Sequence, residues 1–181
     1  MEKKQLLANE KKFSLIIERL ALELIENHGD FSDTVIIGLQ PRGIFVSARI
    51  IETLKKILNI NSIASGNLDI TFFRDDFRTH DTPLIPSKTE MEIEIENKKV
   101  VLVDDVLFTG RTIRSGIDAL LSYGRPQKVE LLVLVDRLYS RDLPIQANYS
   151  GLKIDTINSE KVIVNWKQIE QEDSIWLMQK N

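Results

Sequence analysis

The segment VVLVDDVLFTGRT, residues 100–112, restricts the fold of this chain more than any other stretch. Its four leading apolar residues predict a central strand over Val100–Val103 that is buried on both faces. Two acids follow at once, and a turn that contains Thr109 and Gly110 then leads into a helix predicted over Thr112–Tyr123. A strand, an acid pair, a small-residue turn and a helix in this order are typical of a parallel α/β sheet with a ligand at the carboxyl ends of its strands.

The rest of the chain alternates predicted helices and strands. Apolar residues recur at three- and four-residue spacing between Glu10 and Asn27, which predicts an amphipathic helix with Asn9 as its cap. A second helical pattern follows Gly43 and runs through Leu58. We therefore expect one α/β domain over residues 1–181, with parallel βαβ units. The other predicted strands are Thr34–Leu39, Asn67–Phe73, an edge strand Glu92–Glu96, Lys128–Val135 and Lys161–Trp166.

The segment from Arg74 to Glu90 is polar, lacks periodicity and is long for a connection inside a compact domain. Loops of this kind are more often functional lids or hairpin arms than accidents. Arg74, with Asp75 and Asp76, begins the segment, so we expect a flexible arm that carries Arg74 over a ligand and excludes water from it. The alternative interpretation is a solvated charged loop.

Composition narrows the class of protein. The chain has 24 basic and 27 acidic residues and a net charge of −3, which argues mildly against a dedicated nucleic-acid binder. It contains no cysteine, so disulfides and thiolate metal sites are excluded. No apolar run reaches about 18 residues, and the charged amino-terminal segment lacks the apolar stretch of a secretory signal. We expect a cytoplasmic protein without a membrane span.

The acid pair and the turn can make two kinds of contact at once. The carboxylates of Asp104 and Asp105 can accept hydrogen bonds from neighbouring hydroxyls of a sugar. The backbone N–H groups of the turn, the hydroxyls of Thr109 and Thr112, and the dipole of the following helix can hold a phosphate. A ribose 5-phosphate has both features. A strand that merely ends in solvated acids is the alternative, and it is disfavoured because the whole segment agrees with a ligand site.

These residues resemble the phosphoribosyl diphosphate (PRPP) signature of the type I phosphoribosyltransferases. The resemblance implies their single-domain fold: a central, mostly parallel sheet flanked by helices, a flexible loop or hairpin, and a small hood over the base. It implies that Asp104 and Asp105 contact the ribose hydroxyls, and that Mg²⁺ binds with PRPP near Asp104. The residues expected to wrap the 5-phosphate are Val106, Leu107, Phe108, Thr109, Gly110, Arg111 and Thr112.

Further segments resemble the PyrR proteins, which are bifunctional uracil phosphoribosyltransferases and attenuators of pyrimidine-operon mRNA. These segments are GLQPRG (38–43), GNLDITFFRDDF (66–77) and DRLYSRDLPIQANYSGLKIDTINSEKV (136–162). The resemblance covers nearly the whole chain. It implies a reaction of uracil with PRPP that gives UMP and pyrophosphate, and a homodimer or higher homo-oligomer.

By the same resemblance, Gln40, Pro41, Arg42 and Gly43 form the pyrophosphate loop. Arg42 can clamp the leaving pyrophosphate with paired hydrogen bonds. A surface arginine is the alternative, but the dipole at a helix start prefers anions. Relatives often have Lys-Thr-Arg-Gly here, so this chain has one lysine fewer, and Pro41 can favour a cis bond after Gln40. The residues predicted to act in catalysis are Arg42, Arg74, Asp104 and Asp105.

Position 108 bears on the choice of base. Purine-type relatives usually have an acid there, whereas Phe108 cannot transfer a proton, so we expect a pyrimidine. The resemblance places Arg137 at the edge of the base and a hood around Ile154–Ile157 above it, with Ile157 as a further base contact. A phosphoribosyltransferase for another base is an alternative. The histidines His28 and His80 are not interpreted as a site.

A competing function is an RNA-binding attenuator with little catalytic activity, whose pocket senses UMP or UTP. Arg19, Arg141 and Lys153 are the possible RNA contacts. Gln146 replaces a basic residue of the relatives, and the segment DRLYSRDLPIQAN is one residue longer than theirs. Because each lost phosphate contact weakens RNA binding, the sequence favours enzyme activity over attenuation.

Overall fold

The computed structural model describes residues 3–74, 94–156 and 159–179. Strands and helices alternate through most of this range. Among the described residues, no helix has the length and apolar character needed to cross a membrane. The elements are β1 (Lys3–Ala8), α1 (Glu10–His28), β2 (Thr34–Leu39), α2 (Gly43–Leu58), β3 (Ser65–Leu68), β4 (Lys99–Leu107), α3 (Arg111–Leu121), β5 (Lys128–Leu138), β6 (Tyr149–Asp155), β7 (Glu160–Asn165), α4 (Lys167–Glu170) and β8 (Ser174–Gln179).

The strands form two sheets. Five of them make a parallel sheet in the order β3-β2-β4-β5-β6, and three make a small antiparallel sheet in the order β1-β8-β7. The large sheet and its helices confirm the predicted α/β fold. The small sheet joins residues from both ends of the described chain, since β1 pairs with β8.

The central strands are apolar on both faces because helices cover both faces. In β4, Val101 and Val103 pack with α1 and α2 on one side of the sheet. Val100 and Leu102 pack with α3 on the other side. This arrangement explains why the predicted strand was an unbroken apolar run rather than an alternating one.

Helix α1 begins and ends as the sequence predicts. The side chain of Asn9 accepts a hydrogen bond from the backbone N–H of Lys12 at 3.0 Å, which satisfies one free donor of the first turn. Gly29 ends the helix with a positive φ of 61°. The buried stripe includes Phe13, Leu20 and Leu24.

Two predicted strands were wrong in part. The strand expected over Asn67–Phe73 ends at Leu68, and residues Thr71–Phe73 form a 3-10 turn. The cause is local: the carboxylate of Asp69 accepts a hydrogen bond from the N–H of Thr71 at 2.8 Å, which bends the chain. Of the predicted edge strand 92–96, residues 94–96 are described and are not a strand.

Strand β4 is longer than predicted, and this shifts the acid pair. Asp104 and Asp105 lie inside β4, which continues to Leu107, rather than after its end. Strand β5 likewise continues past Val135 and includes Arg137. Strands β1, β6 and β8 were not predicted.

Candidate active site

The acid pair lies where β4 outruns its neighbour. Strand β2 pairs with β4 only as far as Val103, whereas β5 follows it to Leu107. Beyond Val103, the chain that leaves β2 turns through residues 40–43 and enters α2. The side of β4 that carries the acids therefore faces this turn, at the carboxyl edge of the sheet.

Gly43 brings the turn against the acid strand. A Cβ at Gly43 would lie 2.3 Å from the carbonyl oxygen of Val103 and 3.0 Å from the Cα of Asp104, so a side chain does not fit there. The peptide bond between Gln40 and Pro41 is cis, as predicted. The predicted pyrophosphate loop and the acid pair are thus in direct contact.

Arg42 joins three parts of the molecule. Its Nε lies 3.3 Å from Oδ2 of Asp105. Its Nη2 donates to the carbonyl of Val164 in β7 and lies 3.5 Å from Oε1 of Glu170 in α4. The Arg42 side chain is 37% exposed, so it remains accessible to a ligand. Sequence reasoning missed Glu170, because nothing in the local pattern connects α4 with residue 42.

Burial makes the acid pair hard to ionise. It raises the pKa of Asp104 well above the ordinary carboxyl value, and the charge of Asp105 raises it further. Burial also raises the pKa of Asp105, although the Arg42 guanidinium opposes that shift. Hydrogen bonds from hydroxyl groups, or a nearby cation, would stabilise the ionised carboxylates. Binding of either kind of group would therefore offset the cost of their burial.

The acid pair fits a Mg²⁺ ion that is held mainly by its substrate. Mg²⁺ usually takes one or two protein carboxylates and completes its shell with phosphate oxygens and water. Asp104 and Asp105 supply such carboxylates. Among the described residues, no three Asp, Glu or His side chains gather into a metal cage of their own.

The predicted phosphate segment divides among three elements. Val106 and Leu107 finish β4, the turn follows, and α3 starts at Arg111. Gly110 has a φ of 90° and gives the helix no side-chain cap, which leaves N–H groups of the first turn for an anion. The hydroxyl of Thr109 accepts from the N–H of Arg111 at 3.4 Å.

The base-side residues Phe108 and Arg137 are brought together. The guanidinium carbon of Arg137 lies 3.8 Å from the centre of the Phe108 ring. Its Nε donates to Oγ1 of Thr156 at 2.9 Å. Burial lowers the pKa of Arg137, and the nearby charge of Glu160 opposes this. Thr156 lies within the hood predicted around Ile154–Ile157, whereas Glu160 was not predicted as a site residue, although it lies in the segment that carries the family resemblance.

The remaining predicted residues are distributed as follows. Arg74 is half-buried and directly follows the 3-10 turn. The arm that it begins, from residue 75 onward, and Ile157 lie outside the described residues. Arg111 pairs with Asp142, with 3.1 Å between Nε and Oδ2. Thr112 is half-buried in the first turn of α3.

The three possible RNA contacts do not form one patch. Arg19 pairs with Glu23 and donates to the carbonyl of Gly151 in β6 at 2.6 Å. Lys153 is exposed on the same strand. Arg141 instead points into the turn of residues 108–110 between β4 and α3, which we call the phosphate turn. There its guanidinium donates to the carbonyl of Phe108 at 2.5 Å. Arg19 and Lys153 share an edge of the sheet, and Arg141 belongs to the candidate active site.

Solved structures show the same fold. Hypoxanthine phosphoribosyltransferase from Staphylococcus aureus gives a TM-score of 0.71 at 20% identity, over 97% of this chain and 92% of that chain. The enzyme of Trypanosoma cruzi gives 0.73 at 16% identity, over 98% and 97%. At this identity the likeness concerns the fold alone.

Sequence comparison is more specific. The phosphoribosyl transferase domain model matches residues 3–168. Bifunctional protein PyrR of Bacillus subtilis is 39% identical over 178 residues, 97% of each chain. Its counterpart in Streptococcus mutans is 43% identical over 164 residues, 91% of this chain and 89% of the relative. With the acid pair, the phosphate turn and Arg42 assembled at one sheet edge, these matches show that the chain belongs to the phosphoribosyl transferase domain family and, within it, to the bifunctional PyrR proteins.

Proposed function

We propose that this phosphoribosyltransferase joins uracil to the ribose 5-phosphate of PRPP and releases pyrophosphate, giving UMP. One arrangement carries the proposal. Arg42 lies 3.3 Å from Asp105 of the acid pair, and the stacked side chains of Phe108 and Arg137 lie at the carboxyl ends of β4 and β5. In this arrangement Arg42, at the start of α2, would clamp the leaving group, and the acid pair on β4 would hold the ribose. Phe108 and Arg137, at the ends of β4 and β5, would form a wall for the base.

The acid pair would hold the ribose. Positive charge develops on the sugar as pyrophosphate leaves, and carboxylates fixed beside it stabilise that charge. Asp104 and Asp105 carry raised pKa values in the free protein because they are buried together. Hydrogen bonds from the ribose hydroxyls favour their ionised form, so ligand binding and ionisation reinforce each other.

The leaving group would be held by arginines. Arg42 can exchange its contacts with Asp105 and Glu170 for pyrophosphate oxygens, because it is partly exposed. Arg74 would reach the same oxygens from the start of the arm. When bound with PRPP, Mg²⁺ supplies positive charge to the pyrophosphate oxygens, with Asp104 as the proposed protein ligand.

The turn after β4 would take the 5-phosphate. Gly110 and the first turn of α3 offer backbone donors at the positive end of the helix dipole. The hydroxyls of Thr109 and Thr112 add two more donors. No covalent intermediate is needed, since orientation and electrostatics suffice for a loose transition state.

The base is assigned from the Phe108–Arg137 pair. Arg137 presents only donors, which suit the carbonyl oxygens of uracil. Phe108 offers no group that could exchange a proton with a purine ring nitrogen. A phosphoribosyltransferase for another base is the second candidate within the same chemistry.

A regulatory function is the second proposal, and the likeness to proteins named bifunctional supports it. In this function, UMP or UTP in the site would control binding to pyrimidine-operon mRNA, with Arg19 and Lys153 among the contacts. We further propose a homo-oligomer. The cytoplasm is the proposed location, because charged substrates such as PRPP do not cross membranes unaided.

The test is a labelled-base assay with PRPP and Mg²⁺, run in parallel with uracil, hypoxanthine, guanine, adenine and orotate. We expect label to enter a nucleotide with uracil alone. Incorporation of a purine would overturn the base assignment. If no base reacts although PRPP binds, the chain is a nucleotide-sensing regulator and the catalytic proposal is wrong.

A further inference from the structure

The segment 141–145 lies against the phosphate turn and donates hydrogen bonds to its carbonyl groups. The N–H groups of Asp142 and Leu143 donate to the carbonyl of Thr109 at 3.0 and 3.2 Å. On the same side, a Cβ at Gly110 would lie 3.3 Å from the side chain of Ile145. The turn is therefore held by the chain that follows β5.

The side chain of Arg141 contacts two further carbonyls beside the turn and two carbonyls outside it. Its Nη1 donates to the carbonyl of Phe108 at 2.5 Å and also lies 3.4 Å from the carbonyl of Leu107. The same atom donates to the carbonyl of Arg137 at 2.8 Å, and Nε donates to that of Ile145 at 3.0 Å.

A buried carboxylate balances the charge of this arginine. Nη2 of Arg141 forms an ion pair with Asp136, whose side chain is 6% exposed. Arg141 itself is only 20% exposed. A planar guanidinium can donate in several directions from a fixed position, which a lysine ammonium on a flexible stem cannot reproduce.

These contacts determine where the donors of the turn point. In a trans peptide the C=O and the next N–H point in opposite directions. The peptide bonds of the turn are trans, since the cis bond of the described chain precedes Pro41. The carbonyls of Leu107, Phe108 and Thr109 face segment 141–145. The N–H groups of the three residues that follow them, 108 to 110, consequently face away from this segment.

We propose that Arg141 is a positioning residue: it turns the carbonyls of Leu107 and Phe108 inward, so that the N–H groups of Phe108 and Thr109 point toward the 5-phosphate. The backbone N–H groups of Asp142 and Leu143 do the same for the next peptide by holding the carbonyl of Thr109. Through the carbonyl of Arg137, Arg141 also links this turn to the strand end that faces the base. The inference rests on the proposed function, and it gives Arg141 an active-site role in place of the predicted RNA contact.

The experiment separates the two anionic ends of PRPP. Dissociation constants for ribose 5-phosphate and for inorganic pyrophosphate are measured by calorimetry on the wild type, Arg141→Lys and Asp136→Asn. Arg114→Lys is the matched control, because Arg114 pairs with Asp118 on the exposed face of α3. Thermal unfolding of each variant reports on the fold.

We expect Arg141→Lys to weaken ribose 5-phosphate roughly tenfold, in line with loss of charge-assisted contacts that orient the turn. Pyrophosphate binding should stay within about twofold, because Arg42 is untouched. Asp136→Asn should show the same selectivity with a smaller loss, since it removes only the balancing charge. Arg114→Lys should match the wild type for both ligands.

Two results would overturn the inference. Wild-type affinity for ribose 5-phosphate in Arg141→Lys would show that the guanidinium does not orient the turn. An equal loss of both ligands, with a lower unfolding temperature, would show a general structural role. If the wild type itself bound neither PRPP nor ribose 5-phosphate, the proposed function would fail as well, which distinguishes that failure from the other two.

Discussion

The large sheet buries acidic side chains toward both of its ends, and the two ends differ in how these acids are paired. Toward the amino ends of the strands, Glu130 lies 2.5 Å from Nζ of Lys128 and 2.9 Å from Nε2 of His28. At the carboxyl ends, Asp104 and Asp105 lie side by side with Arg42. Burial alone would raise the pKa of Glu130, but Lys128 and His28 outweigh it and the pKa is lowered. The pKa values of Asp104 and Asp105 are raised.

This difference separates two uses of a buried acid. Glu130 is neutralised within the free protein, and it also accepts a hydrogen bond from the hydroxyl of Tyr149 at 3.3 Å. It connects α1, β5 and β6 and so stabilises the fold. Arg42 offsets the burial of the acid pair only in part, so both pKa values stay raised, which is the pattern of a functional site.

The largest expected effect is on the acid pair. Asp104→Asn or Asp105→Asn should lower kcat/KM for PRPP by about 10²–10³, because the charge that stabilises the ribose in the transition state is lost. Steady-state UMP formation, with circular dichroism as the check on folding, measures this. A loss of less than about threefold would mean that the acids at the carboxyl end are structural too, so the two ends of the sheet would not differ in function.

The next effect concerns the other end of the sheet. Glu130→Gln should lower the free energy of unfolding by about 1–3 kcal/mol, because His28 and Lys128 lose their anion. KM for PRPP and kcat should stay as in the wild type. Urea unfolding and the UMP assay measure the two quantities, and Tyr149→Phe serves as a milder control. A change in KM of about tenfold with unchanged stability would show that Glu130 acts in the function of the site and not in the stability of the fold.

A smaller effect distinguishes the two ends by pH. The raised pKa of Asp104 means that its charged form destabilises the fold, and this cost is fully present only above the raised pKa. Asp104→Asn should therefore increase stability by about 1 kcal/mol at pH 8. The gain should shrink as the pH falls and vanish near the ordinary carboxyl value. Unfolding curves of the variant and the wild type, measured at several values between about pH 5 and 8, check the trend. A stability gain that grew toward low pH would contradict it.

The smallest expected effect concerns Arg42, the arginine that pairs with Asp105. Glu170 lies 3.5 Å from Arg42. In the proposed function it would compete with pyrophosphate for this arginine. Both groups are about one-third exposed, so water screens the contact. Glu170→Gln should tighten pyrophosphate binding by about two- to threefold, measured by calorimetry. Glu172→Gln, two residues away, is the control; weaker binding in Glu170→Gln alone would show that Glu170 helps to hold the ligand.

The sequence predicted those parts of the fold and site that rest on local signals. Helix α1 has a strong apolar period and a cap at Asn9, and strand β2 is an apolar run, so both were located correctly. The acid pair and the turn lie in one short segment and carry a family signature. In the pyrophosphate loop, Pro41 indicated that the bond after Gln40 could be cis, and the bond is cis.

The missed features depend on contacts between distant residues. Strand β1 pairs with β8 from the opposite end of the sequence, and neither has a distinctive pattern of its own. The contact between His28 and Glu130 was not predicted either, because the two residues are far apart in the chain. The same holds for Glu170 beside Arg42. Local periodicity contains no information about such pairs.

The order of strands in the small sheet has a consequence for protein synthesis. Strand β8 is the middle strand of β1-β8-β7, so neither neighbour has its hydrogen-bonding partner until residues 174–179 have been translated. Arg42 takes one of its contacts from Val164 in β7. A nascent chain can therefore assemble its parallel sheet first, and the surroundings of Arg42 become complete only when residues 174–179 are available to join the small sheet.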